Sequence, residues 1–331
     1  MKKVILLNDS KAGHFNQTKA LSYAINQIQA TDTQTINIQI KKIAKYLLRI
    51  LLNSKIGQKY LSNPNSLKLL EFFYDIDADI SQCDIIISSG KDTSLLNAWL
   101  GLVYRCKNFY IGNPKKLDYR LFDSVFSILD LGFDNQILLD MAPSMPLQID
   151  LDSFCKQYNL NPNDTYYTLL IGGDGSGYRY SQDDYQKLIE LVNNTLQDIK
   201  WLVTTSRRTP KEIEDMLQES MKCAYFVPYH TNPQKVVAPF LALSQMAFVT
   251  QESASMISEA ISSQKPVVTL KPNSAKIEEN YKKILSKYIK SKTIISLDID
   301  DIDKFDIKSI DIVPFEYNSI EELQEKLKEI I

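Results

Sequence analysis

Histidine occurs twice, cysteine four times and glycine ten times in 331 residues. The cysteines (Cys83, Cys106, Cys155 and Cys223) stand far apart with no CxxC pair. That excludes a zinc finger and a disulfide framework, and it fits reduced thiols in a cytoplasmic protein. No apolar run approaches the ~18–20 residues of a membrane-spanning helix. The opening Met1–Asn8 stretch is too short for the apolar part of a signal peptide and reads as a first strand. A net charge of −2 gives no overall field for nucleic acid. What is there is average for a globular chain, 44% hydrophobic and 24% charged. The length suits two domains at ~100–200 residues each.

One absence is local. No acidic residue occurs from Thr33 to Leu70, while Lys41, Lys42, Lys45, Arg49, Lys55, Lys59 and Lys68 do. Apolar residues between them, Leu47, Leu48, Leu51 and Leu52 included, predict an amphipathic helix. Two readings stand: a solvated helix face, or attachment to an anionic membrane surface through Lys41, Lys42, Lys45 and Arg49. Each basic group near such a surface contributes roughly 1 kcal/mol. The opposite bias comes late, with Asp298, Asp300, Asp301, Asp303 and Asp306 close together.

Strand and helix patterns alternate. Strands are expected near residues 4–8, 36–40, 84–88, 108–111 and 124–128, then at 166–171, 201–205, 247–250 and 266–270. Helices are expected near 16–28, 41–52, 66–74 and 93–104, and again after Ser181, Pro210 and Ser253. Ser181 with Asp184 forms a capping box, Thr209-Pro210 supplies an N-cap and a first-turn proline, and Ser319 with Glu322 caps the last helix. A looser stretch from Met141 to Asn163 places a boundary near residue 150, giving domains 1–150 and 151–331. The last helix is expected to pack back on the first domain. Such alternation implies two parallel sheets covered by helices. Ligands of these sheets bind beyond the carboxyl ends of strands, so the loops after Asn8, Ser88, Ile171, Thr205 and Thr250 are the candidates for chemistry.

Gly172-Gly173-Asp174-Gly175-Ser176-Gly177 holds four of the ten glycines between a strand and a helix. It is no Walker loop, since Tyr178 stands where lysine is required, and it lacks the third glycine of the dinucleotide fingerprint. A tight turn is the plain reading; backbone amides that cradle a diphosphate are the functional one. Arg207 and Arg208 at a helix start oppose its dipole unless an anion or acid neighbours them, so a phosphate or a salt bridge is expected there. Glu252, Ser253 and Ser255 open another helix, small and polar enough for a nucleotide, and Glu259 is placed to accept from ribose hydroxyls. Gly13-His14 with Asn16 and Gln17 follows the first strand. A neutral imidazole at that helix start suits a general base, and a capping or packing histidine is the alternative. Gly90 and Lys91 suit an acceptor or phosphate contact. His230 is read as loop structure or a base contact. Asp75, Asp77 and Asp79 have metal-transferase spacing, but they follow a helix instead of ending a strand.

The motifs Asp9-Ser-Lys-Ala-Gly13-His14-Phe-Asn16-Gln17, Ser89-Gly90-Lys91, Ile171-Gly172-Gly173, Thr204-Thr-Ser-Arg-Arg-Thr-Pro210 and Thr250-Gln-Glu-Ser-Ala-Ser-Met-Ile-Ser-Glu-Ala260 resemble the Elm-type mitochondrial fission family. That family is similar in turn to GT-B glycosyltransferases, among them the lipid-linked N-acetylglucosaminyl transferase of peptidoglycan synthesis. Two departures stand out. Asp174-Gly-Ser-Gly177 replaces a proline and polar pair, and Leu129-Asp-Leu-Gly132 replaces an acidic-His stretch. The resemblance implies a GT-B fold, two Rossmann-like domains facing a central cleft. It also implies a metal-independent, cofactor-free transfer of a sugar from a nucleoside-diphosphate sugar, with a UDP-sugar favoured. The acceptor is left open, a lipid-linked one at the inner face of a membrane of the cell envelope being one candidate. In this reading Gly173, Gly175, Ser176 and Arg207 hold the diphosphate. Glu252, Ser253 and Ser255 contact the nucleotide, Glu259 the ribose, and His14 is the base. Two other functions share the fold: a sugar-nucleotide 2-epimerase and a non-catalytic membrane adaptor.

Overall fold

The computed structural model describes residues 1–146, 149–195, 198–306 and 318–331. The chain divides into two compact units, one of residues 1–146 with 318–331, the other of residues 147–317.

In the first unit β1 (Lys2–Asn8) leads into α1 (Ala12–Ile28), β2 (Thr31–Ile40), α2 (Lys42–Leu52), α3 (Lys55–Leu61), α4 (Leu70–Phe73) and β3 (Tyr74–Ile76). There follow β4 (Ile85–Ser89), α5 (Thr93–Tyr104), β5 (Lys107–Ile111), β6 (Ser124–Ser127) and β7 (Gln136–Leu138). The strands form one sheet in the order β3-β2-β1-β4-β5-β6-β7, parallel except at β2–β3. Side chains alternate across it. Ile5, Leu7 and Ile86 pack on one face with Leu48, Leu52 and Trp99, while Val4, Leu6, Ile85 and Ile87 pack on the other with Leu21 and Ile25. Burial on both faces is why β1 and β4 read as continuous apolar runs.

In the second unit come α6 (Leu151–Tyr158), β8 (Thr165–Leu170), β9 (Tyr178–Arg179), α7 (Gln182–Asn194), β10 (Ile199–Thr204), α8 (Lys211–Ser220), β11 (Tyr225–Val227) and α9 (Val237–Leu243). They are followed by β12 (Ser244–Thr250), α10 (Ala254–Ser262), β13 (Val267–Lys271), β14 (Ser274–Ala275), α11 (Glu279–Lys290) and β15 (Ile295–Asp298). Six strands make a parallel sheet, β11-β10-β8-β12-β13-β15, and β9 pairs with β14 in a small antiparallel ribbon. Leu169, Trp201, Val203 and Phe248 pack on one face beneath α7, and Tyr166, Leu202 and Phe240 on the other with α6 and α9. The chain closes with α12 (Ser319–Leu327), whose Ile320, Leu323 and Leu327 join Leu21 and Ile25 of α1 in the first unit's core.

Both sheets have a point where the strand order reverses: between β1 and β4 in the first, between β8 and β12 in the second. Adjacent loops part there and leave a crevice at the strands' carboxyl ends.

Several local expectations are corrected. The helix expected over 66–74 is a 3-10 turn (Pro64–Leu69), then one α turn, and Tyr74 already belongs to β3. The loose stretch after Met141 contains α6, capped by the Asp150 side chain on the Ser153 amide. Pro210, not Thr209, is the N-cap of α8; the Thr209 hydroxyl donates to the Gly172 carbonyl and accepts from the Ser206 amide instead. Asn318, not Ser319, caps α12; Ser319 Oγ donates to the Ser144 carbonyl and Glu322 accepts from the Asp140 amide. The Ser181–Asp184 capping box is present in both directions.

Candidate functional site

At the first reversal the loops after β1 and β4 bring together residues 72 to 81 positions apart. Asn8 turns the chain by accepting the Ser10 amide, with Ser10 in the left-handed region at φ 62°. The Asp9 side chain, only 4% exposed, thereby points inward. It accepts from Lys11 Nζ at 2.9 Å and from His14 Nδ1 at 2.9 and 3.2 Å. A carboxylate only accepts, so Nδ1 is the donor in this contact and Nε2 is the ring nitrogen turned away from Asp9. His14 sits in the first turn of α1, which starts at Ala12, earlier than the sequence pattern suggested, and its side chain is 36% exposed. Burial raises the Asp9 carboxyl, but the hydrogen bonds and charges of His14 and Lys11 outweigh it and hold the group down at about 2. Lys11 reaches a second acid, Asp92, at 3.5 Å, and Lys45 pairs with the same Asp92.

Gly90 explains itself here. Its φ is +99°, and a Cβ would lie 2.2 Å from His14 Nδ1 and 3.0 Å from Asp9 Oδ2. Gln17 accepts from Ser89 Oγ at 2.8 Å, fastening α1 to the end of β4. Gly13 and Asn16 are half-buried on the first turns of α1, and Lys91 is exposed.

At the second reversal Gly172 and Gly173 follow β8 and lie against the end of β12. The Gly172 amide donates to Thr250 Oγ1 at 2.7 Å, and its carbonyl accepts from Ser206 Oγ at 2.6 Å and Thr209 Oγ1 at 2.9 Å. A Cβ on Gly172 would stand 1.5 Å from Glu252 Oε1; one on Gly173, where φ is +116°, would stand 2.4 Å from the Arg208 carbonyl. Glu252 is fully buried and pairs with Arg208 Nη2 at 2.8 Å. Burial pushes its carboxyl up to about 7, against the downward pull of Arg208. Arg208 Nε and Glu252 Oε2 are buried without a hydrogen-bond partner, and Gly175 lies beside both residues. Ser176 Oγ donates to the Glu252 carbonyl at 2.8 Å. Ser253 is buried and Ser255 half-buried at the start of α10, with Glu259 half-buried farther along it. Burial alone pushes the Glu259 carboxyl up to about 7.

Two details depart from the sequence reading. The glycine loop does not run straight into a helix: Gly175 bridges Tyr178, β9 intervenes, and α7 starts only at Gln182. Its amides therefore have no helix dipole behind them. Of the two arginines, Arg207 is exposed, while Arg208 is half-buried and turns to Glu252. Asp9, which sequence reasoning left without a role, and Arg208, for which it expected a phosphate or a salt bridge at the helix start, are central to their clusters. The signal for Arg208 was the acid it needed, 44 positions away. His230 holds the β10–α8 loop, with Nε2 donating to the Thr209 carbonyl at 3.0 Å and its amide donating to Glu214. Asp77 accepts from the Asn37 amide, and Asp75 pairs with Lys41.

The fold is that of the GT-B glycosyltransferases. The chain resembles ADP-heptose LPS heptosyltransferase II of E. coli (14% identity, 99% of each chain, TM-score 0.52). It also resembles MurG of Acinetobacter baumannii (10% identity, 100% of this chain and 90% of that one, TM-score 0.50). UDP-GlcNAc 2-epimerase of Methanocaldococcus jannaschii shares the architecture (11% identity, 100% and 99%, TM-score 0.59). No curated protein matches the chain in sequence. The model of the mitochondrial fission ELM1 family matches residues 12–291, a span that takes in His14, Gly90, the glycine loop, Arg208 and Glu252, and the chain belongs to that family.

Proposed function

We propose that the protein is a glycosyltransferase that moves a sugar from a nucleoside-diphosphate sugar, a UDP-sugar by preference, to an acceptor hydroxyl. The observation that carries this reading is the Asp9–His14 pair, in which Nδ1 donates to the buried carboxylate at a reversal point and Nε2 is left to meet an acceptor hydroxyl. In the step proposed, His14 Nε2 takes the acceptor proton as the acceptor oxygen bonds to the anomeric carbon. The bond from that carbon to the diphosphate oxygen breaks in the same step, and the nucleoside diphosphate leaves with the electron pair. Asp9 is the positioning residue, fixing the tautomer and steadying the imidazolium that forms. The donor belongs with the second unit, where Gly173, Gly175, Ser176 and Arg208 meet the diphosphate, Ser253 and Ser255 the nucleotide, and Glu259 the ribose. Arg208 Nε, a buried donor with no acceptor, supports an anion there. The heptosyltransferase and the epimerase act on nucleotide sugars by name, which supports the donor class.

Peripheral attachment to an anionic bilayer is part of the proposal, with the acceptor lipid-linked. No helix among the described residues is long and apolar enough to cross a membrane. On α2 and α3, Tyr46, Leu47, Ile50, Ile56 and Tyr60 are exposed, beside Lys42, Lys55 and Lys59. This is the composition of an interfacial surface. Lys41 and Lys45 do not belong to it: although no acid lies near them in sequence, the fold pairs them with Asp75 and Asp92.

The test is release of nucleoside diphosphate from a panel of donors, with and without lipid extract. The parent chain releases it and His14→Ala does not, while both bind donor equally. Equal release by the two would remove His14 from the chemistry.

A further inference from the structure

Cys83 and Cys106 are 23 positions apart, yet their sulfurs stand 3.8 Å from each other in the first unit. Cys83 precedes β4 and Cys106 precedes β5, and these strands pair in parallel from Ile85↔Lys107 onward, so the sheet itself brings the two thiols together. Both lie at the strands' amino ends, away from the loops that carry His14 and Gly90. We propose that this pair is an oxidisable dithiol, a modification site at which a hydroperoxide closes an intramolecular disulfide.

The two sulfurs differ in a way that gives each a part. Cys83 is 7% exposed, while Cys106 is half-buried and open to a small oxidant. The Cys83 thiol donates to the Cys106 sulfur, which lowers the Cys106 thiol below its ordinary range, against burial and the nearby carboxylates of Asp123 and Asp84. The same bond and burial push Cys83 up. Its greater exposure makes Cys106 the sulfur that an oxidant reaches first, and the buried Cys83, 3.8 Å away, the resolving thiol. The Cys106 sulfur attacks one peroxide oxygen, the O–O bond breaks, and the departing oxygen leaves as water, giving a sulfenic acid. The Cys83 sulfur then displaces the hydroxyl, which leaves as a second water with the Cys83 proton. Two thiols and one hydrogen peroxide give one disulfide and two waters, the two electrons passing to the peroxide. Closing to the ~2.05 Å of an S–S bond asks the sulfurs to approach by less than 2 Å. The remaining cysteines serve as internal controls. Cys155 is 4% exposed, and burial pushes the half-buried Cys223 up to about 11.

The experiment treats the folded full-length chain with one to a few equivalents of hydrogen peroxide and maps the thiols by mass spectrometry without reduction. The expected result is loss of two thiols, a Cys83–Cys106 linked peptide 2 Da lighter than the sum of its parts, and full reversal by dithiothreitol. Cys83→Ser is expected to stop at a Cys106 sulfenic acid that dimedone captures. Should that variant not fold, the peptide map of the parent chain decides alone. Retention of all thiols, or first reaction at Cys223 or Cys155, would overturn the proposal. So would linkage between two chains in place of linkage within one.

Discussion

His14 Nδ1 lies 2.9 Å from an Asp9 carboxylate oxygen, and the space beside that contact is kept open by a glycine. Gly90 stands 76 residues on from His14, and any side chain there would enter the pair. Gly90→Ala is therefore expected to break the dyad twice over, by the 2.2 Å contact and by the strain of an L side chain at φ +99°. The loss of an oriented base costs ~10²–10⁴ in turnover, with donor affinity unchanged. Steady-state kinetics beside a donor titration checks this; equal turnover in both proteins would refute it.

Asp9 also sets an acid limit on stability. Its carboxyl is held at about 2 in the fold against an ordinary 3.8. A depressed carboxyl contributes stability above its unfolded value and loses it as pH falls through the folded one. The shift corresponds to about 2 kcal/mol, lost between about pH 4 and pH 2. Urea titrations across that window should show a steeper decline for the parent than for Asp9→Asn.

Glu252 works in the opposite direction. Its carboxyl is pushed up to about 7, so the folded chain holds a proton there that the unfolded chain releases near 4.5. Stability from this group falls as pH rises from about 4.5 to 7. Glu252→Gln keeps an acceptor for Arg208 and removes the buried charge, so the difference in stability between variant and parent should grow in the variant's favour from pH 5 to pH 8. A difference that is constant with pH would place no titration at this residue.

How much of this could be read beforehand depends on the range of the interaction involved. Helix α5 was legible to the residue because Thr93–Tyr104 carries a near-continuous apolar pattern after the Gly90 turn. The Ser181–Asp184 box was legible because both partners lie within one turn. Parallel sheets of strands buried on both faces announced themselves in runs such as Ile85-Ile86-Ile87. The pairs that make the sites were not legible. Asp9 needs Gly90 to leave it room, Arg208 needs Glu252, and Lys45 needs Asp92; each partner arrives only through strand order. Nor could local pattern tell which of Arg207 and Arg208 turns inward. Helix α6 was missed because Leu151–Tyr158 is short and its neighbourhood is rich in Pro, Asn and Asp, so turn residues masked its periodicity.

Membrane attachment should follow the exposed apolar residues and not the lysines that the fold neutralises. Co-sedimentation with anionic vesicles is expected for the parent, and reduced several-fold by Tyr46→Ser with Ile50→Ser or by Lys42→Glu with Lys59→Glu. Salt should weaken it, since exposed charges are screened over ~8 Å at physiological ionic strength. Lys45→Gln, which gives up an internal partner of Asp92, should leave sedimentation unchanged. Equal sedimentation with zwitterionic vesicles, or with neither kind, would return α2 and α3 to a solvated surface.

The claim on which the account rests is that a nucleoside diphosphate binds at the glycine loop beside Arg208. Calorimetric titration of the full chain with UDP, and with other nucleoside diphosphates, tests it directly. A charged hydrogen bond is typically ~1.5–3 kcal/mol, so Arg208→Ala should weaken binding by about 10-fold or more, while Arg207→Ala changes it little. Unchanged affinity in Arg208→Ala, or no binding of any nucleoside diphosphate by the parent chain, would contradict the account.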